Sequence, residues 1–272
     1  MKNIILLLLP ILFACNATKT ATTTSGSISA TAPYKWTNSF PRTIRISQQF
    51  NDDEAAAILL MSNAWSDSVD NEKNFMSYGS DVTEKTNNIT NLDSLYDGVM
   101  GVYKCSNWPN SLPGSALAVT QIFGRRYNAG EDNEFVNIEH ADIIINDDFY
   151  DFDTTDTGSG FDFRTVVLHE MGHFLGLQHK SSNSNRNLSV MFPSIDPTEA
   201  KRYPKAHDIS DIADKYNISI GGAGPMSAGH KPNYSIKEGD PGKPVRILLE
   251  LQANGDCVHK EDGVEVSRHG IH

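Results

Sequence analysis

The sequence predicts an α+β fold in which helices pack against a β-sheet. One observation is a run of apolar residues spaced three and four apart, as on one face of a helix: Ile58, Met61, Trp65 and Val69. A second is a set of apolar and alternating stretches typical of strands, at 43–47, 117–123 and 134–146. A third is another helical stretch that begins after Asp162. Helices interspersed among strands predict a single layered domain.

The N-terminus predicts export. Lys2 precedes an apolar run from Ile4 to Phe13, which is too short to span a bilayer and is typical of a signal peptide over residues 1–14. Leu12-Phe13-Ala14-Cys15 resembles the bacterial lipobox, which predicts that Cys15 is lipidated. The alternative is ordinary signal cleavage nearby. Residues 15–32 are rich in Thr, Ser and Ala and are expected to form a flexible tether.

The predicted elements follow in order. The first helix is expected to begin at Asn51, because Glu54 three residues later completes a capping box. The predicted strands are 43–47, 74–78, a short one near 99–103 within a polar loop, 117–123 ended by Gly124, and one or two over 134–146. Asp162 is expected to cap the second helix, and Asp208 to start the last one, with Asp211 three residues on.

An acidic segment runs from Asp147 to Gly160. Its carboxylates could bind calcium, but it lacks the spacing of an EF-hand, so a solvated loop is the preferred interpretation. The formal net charge of the chain is −11, and no Lys/Arg cluster is present. These features argue against nucleic acid as a partner.

The strongest signal is His-Glu-Met-Gly-His-Phe-Leu-Gly-Leu-Gln-His, from His169 to His179. His169 and His173 are four apart and lie on one helix face, where both can bind one zinc ion. Glu170 sits beside them as a candidate general base. Gly176 is expected to end the helix and to bring His179 up as third ligand. Three protein ligands leave one position open, which predicts a catalytic zinc site.

The C-terminal part carries no such motif. Gly221–Pro225 is a linker by composition, and strands are expected over 245–251 and within 258–266. This extension either packs on the main domain or forms a small β-appendage, and no site is predicted in it. His259, His269 and His272 are expected at the surface. Cys105 and Cys257 form either one disulfide or two buried thiols.

The chain resembles the metzincin zinc metallopeptidases, and among them the matrixins, over residues 33–218. The likeness rests on the third histidine of the motif, on Val190-Met191-Phe192-Pro193, which resembles the Met-turn, and on the order of elements. The resemblance implies a twisted mixed sheet with a long backing helix, an active-site helix and a small C-terminal subdomain after His179. Residues 219–272 would add a linker and a short β-rich extension.

The resemblance also implies roles for individual residues. His169, His173 and His179 would bind zinc, Glu170 would be catalytic, and Met191 would lie beneath the metal. Leu117 and Ala118 would belong to the edge strand that binds extended peptide substrates. Phe192 and Pro193 would border the pocket for the side chain after the scissile bond. Vertebrate matrixins have histidines for a structural zinc, but these have no clear counterpart here, so one zinc ion is expected. The N-terminal segment is short for an inhibitory pro-segment and offers no cysteine-switch sequence.

The predicted function is that of an exported zinc endopeptidase acting on extracellular or envelope proteins. It is expected to be a monomer, anchored to the cell envelope through Cys15 and most consistent with the outer membrane. Without lipidation the protein would be secreted or periplasmic. The alternative function is a binding or adhesion lipoprotein that keeps the scaffold without turnover. The intact Glu170 argues against that alternative, because an idle scaffold needs no base beside its metal.

Overall fold

The computed structural model describes residues 32–70, 73–80, 89, 91–155, 158, 160–180, 187–193, 195–197, 199–220, 234–253 and 257–269. The signal peptide, Cys15, the tether up to residue 31, the 221–225 linker and His272 lie outside the described residues. Across the described ranges, no helix has the length and apolarity needed to cross a membrane.

One nine-stranded mixed sheet organises the domain, which confirms the predicted α+β class. Its strands are β1 (Tyr34–Lys35), β2 (Arg42–Ile46), β3 (Met76–Tyr78), β4 (Gly101–Cys105), β5 (Ala116–Tyr127), β6 (Phe135–Asn146), β9 (Lys243–Gln252), β10 (Cys257–Glu261) and β11 (Val264–His269). The order across the sheet is β11-β10-β9-β5-β6-β4-β2-β3, with β1 paired to β6. A separate pair joins β7 (Phe152–Asp153) to β8 (Phe161–Asp162).

Helix α1 (Asp52–Asp67) begins as the capping box predicts. The Asn51 side chain accepts from the Glu54 N–H, and the Glu54 carboxylate accepts from the Asn51 N–H, both at 2.9 Å. The four predicted apolar positions, Ile58 to Val69, are all buried. Trp65 also donates its indole N–H to the Leu168 carbonyl at 3.1 Å. This bond joins α1 to the second helix, α2 (Phe163–Phe174).

The sheet separates two cores. Helices α1 and α2 cover one face, and the chain around the 3₁₀ turn Leu92–Leu95 covers the other. Cys105 lies in the second core and Cys257 in the first, and no disulfide joins them in the described chain. The two-buried-thiols interpretation is therefore confirmed.

Strand β5 is longer than predicted, because Gly124 does not end it. The strand continues to Tyr127, with a bulge between Phe123 and Gly124. A Cβ at position 124 would lie 2.3 Å from the Asn137 carbonyl oxygen, so the glycine permits a close approach of β6. The 134–146 segment forms the single strand β6 rather than two strands.

The last helix, α3 (Ala206–Tyr216), begins before the predicted Asp208. Asp208 lies inside its first turn, and its Oδ2 accepts the Lys205 N–H at 2.7 Å. The residue therefore satisfies a free N–H of the helix start from within the helix, instead of preceding it.

The C-terminal strands β9–β11 form an antiparallel meander that belongs to the main sheet. We call residues 243–253 and 257–269 the C-terminal meander. Strand β9 pairs along β5, from Ala116 opposite Gln252 to Arg126 opposite Lys243. The extension thus packs on the domain, and a separate β-appendage is not formed. His259 was expected at the surface but is only 3% exposed. Its ring packs against Tyr34, which belongs to the core on the helix side of the sheet.

The acidic segment uses some of its carboxylates internally. Asp153 accepts from the N–H groups of Thr155 at 2.7 Å and Gly158 at 2.8 Å. Asp148 accepts from the Trp108 N–H at 2.9 Å. Part of this segment lies outside the described residues. Calcium binding here stays a prediction.

Candidate metal centre and active site

Helix α2 places the motif in the core. Asp162 caps it as predicted, with its carboxylate accepting the Thr165 N–H at 2.8 Å. His169, Glu170 and His173 are at most 1% exposed. The two imidazole rings stand edge to face, with centroids 4.7 Å apart. Spacing of four residues therefore brings the two rings together, as expected.

Gly176 turns the chain after the helix, with φ +84. A Cβ there would lie 2.5 Å from the Tyr34 carbonyl oxygen, so both the conformation and the space require glycine. The turn returns His179 to the site, where its ring centroid is 4.5 Å from that of His173 and 5.4 Å from that of His169.

Hydrogen bonds orient two of the imidazoles toward a common point. His169 Nδ1 donates to the Val190 carbonyl at 2.8 Å, and His173 Nδ1 donates to the Leu177 carbonyl at 2.9 Å. These bonds leave Nε2 as the lone-pair nitrogen. Within the described chain, the buried Nε2 atoms of His173 and His179 have no hydrogen-bond partner.

The donor set fits zinc. One ring nitrogen from each of His169, His173 and His179 lies within 4.8 Å of the others. Three imidazole nitrogens are a ligand set that zinc binds in proteins, at ~2.0–2.1 Å each. Burial lowers the pKa of His169 to about 4 and lowers those of His173 and His179 well below the usual value. The rings are thus neutral at physiological pH, which is the form that binds a metal.

Glu170 lies beside the histidines, and a residue of the sheet binds its carboxylate. Thr120 on β5 donates its hydroxyl to Glu170 Oε2 at 2.5 Å. Oε1 is buried and has no hydrogen-bond partner among the described residues. Burial raises the Glu170 pKa to about 8, although the Thr120 bond opposes the rise. A bound dication would favour the carboxylate and lower this pKa.

The predicted Met-turn packs against helix α2 at the site. Met191 is buried against α2 at Gly172, where a Cβ would lie 2.3 Å from the Met191 sulfur. Asp208 holds the turn through bonds from the Ser189 hydroxyl at 2.5 Å and the Val190 N–H at 2.8 Å. Val190 in turn accepts from His169, so α3 positions a metal ligand through the turn.

The predicted substrate strand is not a sheet edge. Leu117 and Ala118 lie on β5 as expected, but β9 occupies the neighbouring position, with Ala118 opposite Leu251. The resemblance extended only to residue 218 and so did not include this strand. Phe192 is buried and Pro193 offers its carbonyl to the Cys257 thiol at 3.2 Å. The substrate roles of these four residues stay predictions.

Several side chains at the site are not among the residues predicted from the sequence. Thr120 lies two residues after Ala118, and strand alternation could have placed both on the face toward α2. Cys257 lies with its sulfur 3.9 Å from His169 Nε2, and the His269 ring centroid is 5.5 Å from that of His179. Cys257 and His259 alternate along β10, a weak signal for one shared face.

Comparison with known proteins identifies the family. Residues 63–217, more than half of the 272-residue chain, match the family model for matrixins, the M10 peptidases. The chain belongs to the matrixin family. This membership confirms the predicted branch and, together with the three clustered histidines, is compatible with a zinc site.

Individual relatives match over shorter segments. Karilysin of Tannerella forsythia is 34% identical over 111 residues, which is 41% of this chain and 22% of karilysin. Metalloendoproteinase 1 of Glycine max is 39% identical over 61 residues, or 22% of this chain and 19% of that protein. Human matrix metalloproteinase-27 is 39% identical over 54 residues, which is 20% of this chain and 10% of that protein. The matched segments therefore span less than a quarter of each relative.

Proposed function

We propose that this protein is a zinc-dependent endopeptidase that hydrolyses peptide bonds of extracellular or envelope proteins. The observation that carries the proposal is the set of three neutral imidazoles gathered beside Glu170. A purely structural zinc site would not need a buried carboxylate such as Glu170 beside its ligands.

When bound, zinc would polarise the substrate carbonyl and lower the pKa of water toward ~7. His169, His173 and His179 would hold the ion. Glu170 would accept the proton of the attacking water and later pass it to the leaving amine. Thr120 would keep the Glu170 carboxylate in place through its hydroxyl bond. Neutral imidazoles with Nδ1 bound to backbone carbonyls would keep their orientation through the reaction.

The substrate class follows from the predicted export and from the peptide-binding residues. An extended peptide would pair with β5 at Leu117 and Ala118, with Phe192 and Pro193 bordering the following side chain. The predicted signal peptide places the enzyme outside the cytoplasm. Lipidation of Cys15 would tether it to the cell envelope, and ordinary signal cleavage would release it.

Peptide-library cleavage tests the proposal, using the purified chain that begins at Pro33, with and without a chelator. Glu170→Ala is expected to bind one zinc ion and to lose cleavage by at least about 100-fold, because general-base catalysis contributes that much. The Cys257→Ser variant is assayed in parallel, since Cys257 lies beside His169. Cleavage by Glu170→Ala at the wild-type rate would contradict the assigned mechanism. The idle-scaffold alternative is not favoured.

A further inference from the structure

The C-terminal meander occupies the position that an extended substrate would take. Strand β9 runs antiparallel to β5, with Thr120 opposite Leu249 and Ile122 opposite Ile247. Thr120 is the residue that holds Glu170, so the pairing extends past the candidate catalytic group. A peptide that adds a strand to a sheet uses the same main-chain hydrogen bonds. Two strands cannot use that edge of β5 at once.

The meander also closes the metal centre. Cys257, the first residue of β10, is fully buried, and its sulfur lies 3.9 Å from His169 Nε2. A nitrogen and a sulfur bound to one tetrahedral zinc ion are about 3.6 Å apart, given bonds of ~2.0–2.1 and ~2.3 Å. In the same site, the His173 Nε2 is buried without a hydrogen-bond partner among the described residues. The distance between the Cys257 sulfur and His169 Nε2 is therefore close to that of two ligands of one zinc ion.

Specific contacts attach the meander to the domain. Arg126 on β5 bridges Glu134 at 2.8 Å and also pairs with Glu261 of β10. The segment before β9 binds Asn128, whose side chain donates to the Ser235 carbonyl at 2.9 Å and accepts from the Lys237 N–H at 3.1 Å. The Tyr34 hydroxyl contacts the His259 ring at 2.5 Å. These contacts fix the register that brings Cys257 to the metal centre.

We propose that the C-terminal meander is a built-in inhibitor of the peptidase, in which β9 replaces the substrate strand and Cys257 supplies the fourth zinc ligand. This inference rests on the proposed function. On ligation the Cys257 thiol gives up its proton to solvent, and the thiolate takes the position of the water that hydrolysis needs. No bond in the chain is broken, so the inhibition is reversible. Activity requires the meander to leave β5.

Zinc X-ray absorption on the full zinc-loaded chain tests the ligation. The wild-type chain is expected to show one sulfur at ~2.3 Å and three nitrogens at ~2.0–2.1 Å. Cys257→Ser is expected to lose the sulfur and keep one zinc ion per chain. Cys105→Ser is the matched control, because Cys105 is equally buried but lies in the other core, and it is expected to keep the sulfur. Cobalt substitution gives a second readout, a sulfur-to-cobalt charge-transfer absorption that Cys257→Ser abolishes.

Peptide cleavage by the same chains tests the inhibition. Loss of the zinc–sulfur bond weakens the closed state, so Cys257→Ser raises the fraction of chains in which the meander has left β5. The value of kcat/KM rises in proportion to that fraction, by about tenfold where the fraction rises about tenfold, and Cys105→Ser leaves it unchanged. Cys257→Ala should behave like Cys257→Ser, which guards against an effect of the introduced hydroxyl. A wild-type zinc shell without sulfur, or equal cleavage by wild type and both Cys257 variants, would overturn the inference. A sulfur shell with no cleavage by any variant would support the ligation and contradict the proposed peptidase instead.

Discussion

Helix α2 and the C-terminal meander meet at the same metal centre, but they are held there differently. Helix α2 is held by side-chain bonds at specific residues, such as the Asp162 cap and the Trp65 indole. The meander has side-chain contacts as well, such as that of Arg126 with Glu261, but it is also attached by the continuous backbone pairing of β9 with β5 and by the apolar side chains behind it. Side-chain bonds give fixed geometry, whereas an added strand can in principle be exchanged for another. Under the proposed inhibition, α2 would carry the catalytic groups and the meander would control access to them.

The largest effect is expected from the metal ligands. His173→Ala should weaken zinc binding by more than about 100-fold, because even the outer partners of ligands contribute 10–100-fold. His259→Ala is the contrasting change in the meander, since His259 is buried nearby but is not one of the clustered ligands. It should keep its zinc in competition with a chelator. Equal loss of zinc from both variants would contradict the assignment of the ion to the clustered histidines His169, His173 and His179.

A second change tests how firmly the meander is integrated. Leu249 on β9 is 2% exposed in the helix-side core, so Leu249→Ala should lower the free energy of unfolding by about 2–5 kcal/mol. Val264 on β11 is 65% exposed, and Val264→Ala should change the free energy of unfolding by less than about 0.5 kcal/mol. Urea unfolding of the zinc-free chains measures both. Indistinguishable stabilities would show that the meander does not pack as described.

The smallest effect is expected at the support of the Met-turn. Asp208→Asn removes a charged acceptor that binds Ser189, Val190 and Lys205, and should destabilise the fold by about 1–3 kcal/mol. Asp211→Asn on the same helix breaks a pair with Lys180 that is about one-third exposed, which should matter by less than about 1 kcal/mol. Thermal or urea unfolding compares the two. A larger loss from Asp211→Asn would contradict the role given to Asp208.

Local sequence rules predicted the parts of this protein that depend on neighbouring residues. The Asn51 capping box, the buried stripe of α1 and the turn at Gly176 each follow from short spacings, and the structure confirms them. The three histidines and Glu170 follow from one contiguous motif, and their grouping was therefore foreseeable.

The unpredicted parts depend on contacts between distant segments. Alternation shows that 245–251 is a strand, but it does not show which strand lies beside it. The partner of β9 lies more than 100 residues earlier, on β5. For the same reason, the positions of Thr120 and Cys257 at the site were not predicted. The place of a residue in its own strand does not show which residues pack against it. The prediction that Gly124 ends β5 is wrong, because the neighbouring residues in the sequence do not show that β6 approaches closely at this position.

Chelator-reversible peptide cleavage by Cys257→Ser, compared with the double variant Glu170→Ala/Cys257→Ser, tests whether zinc and Glu170 carry out the hydrolysis. Both chains are loaded with zinc, and bound metal is measured in each sample. We expect the single variant to cleave the peptide, to lose this activity on chelation and to recover it with zinc. The double variant should cleave at least about 100-fold less at equal zinc content. Equal cleavage by the two zinc-loaded chains would contradict the role assigned to Glu170.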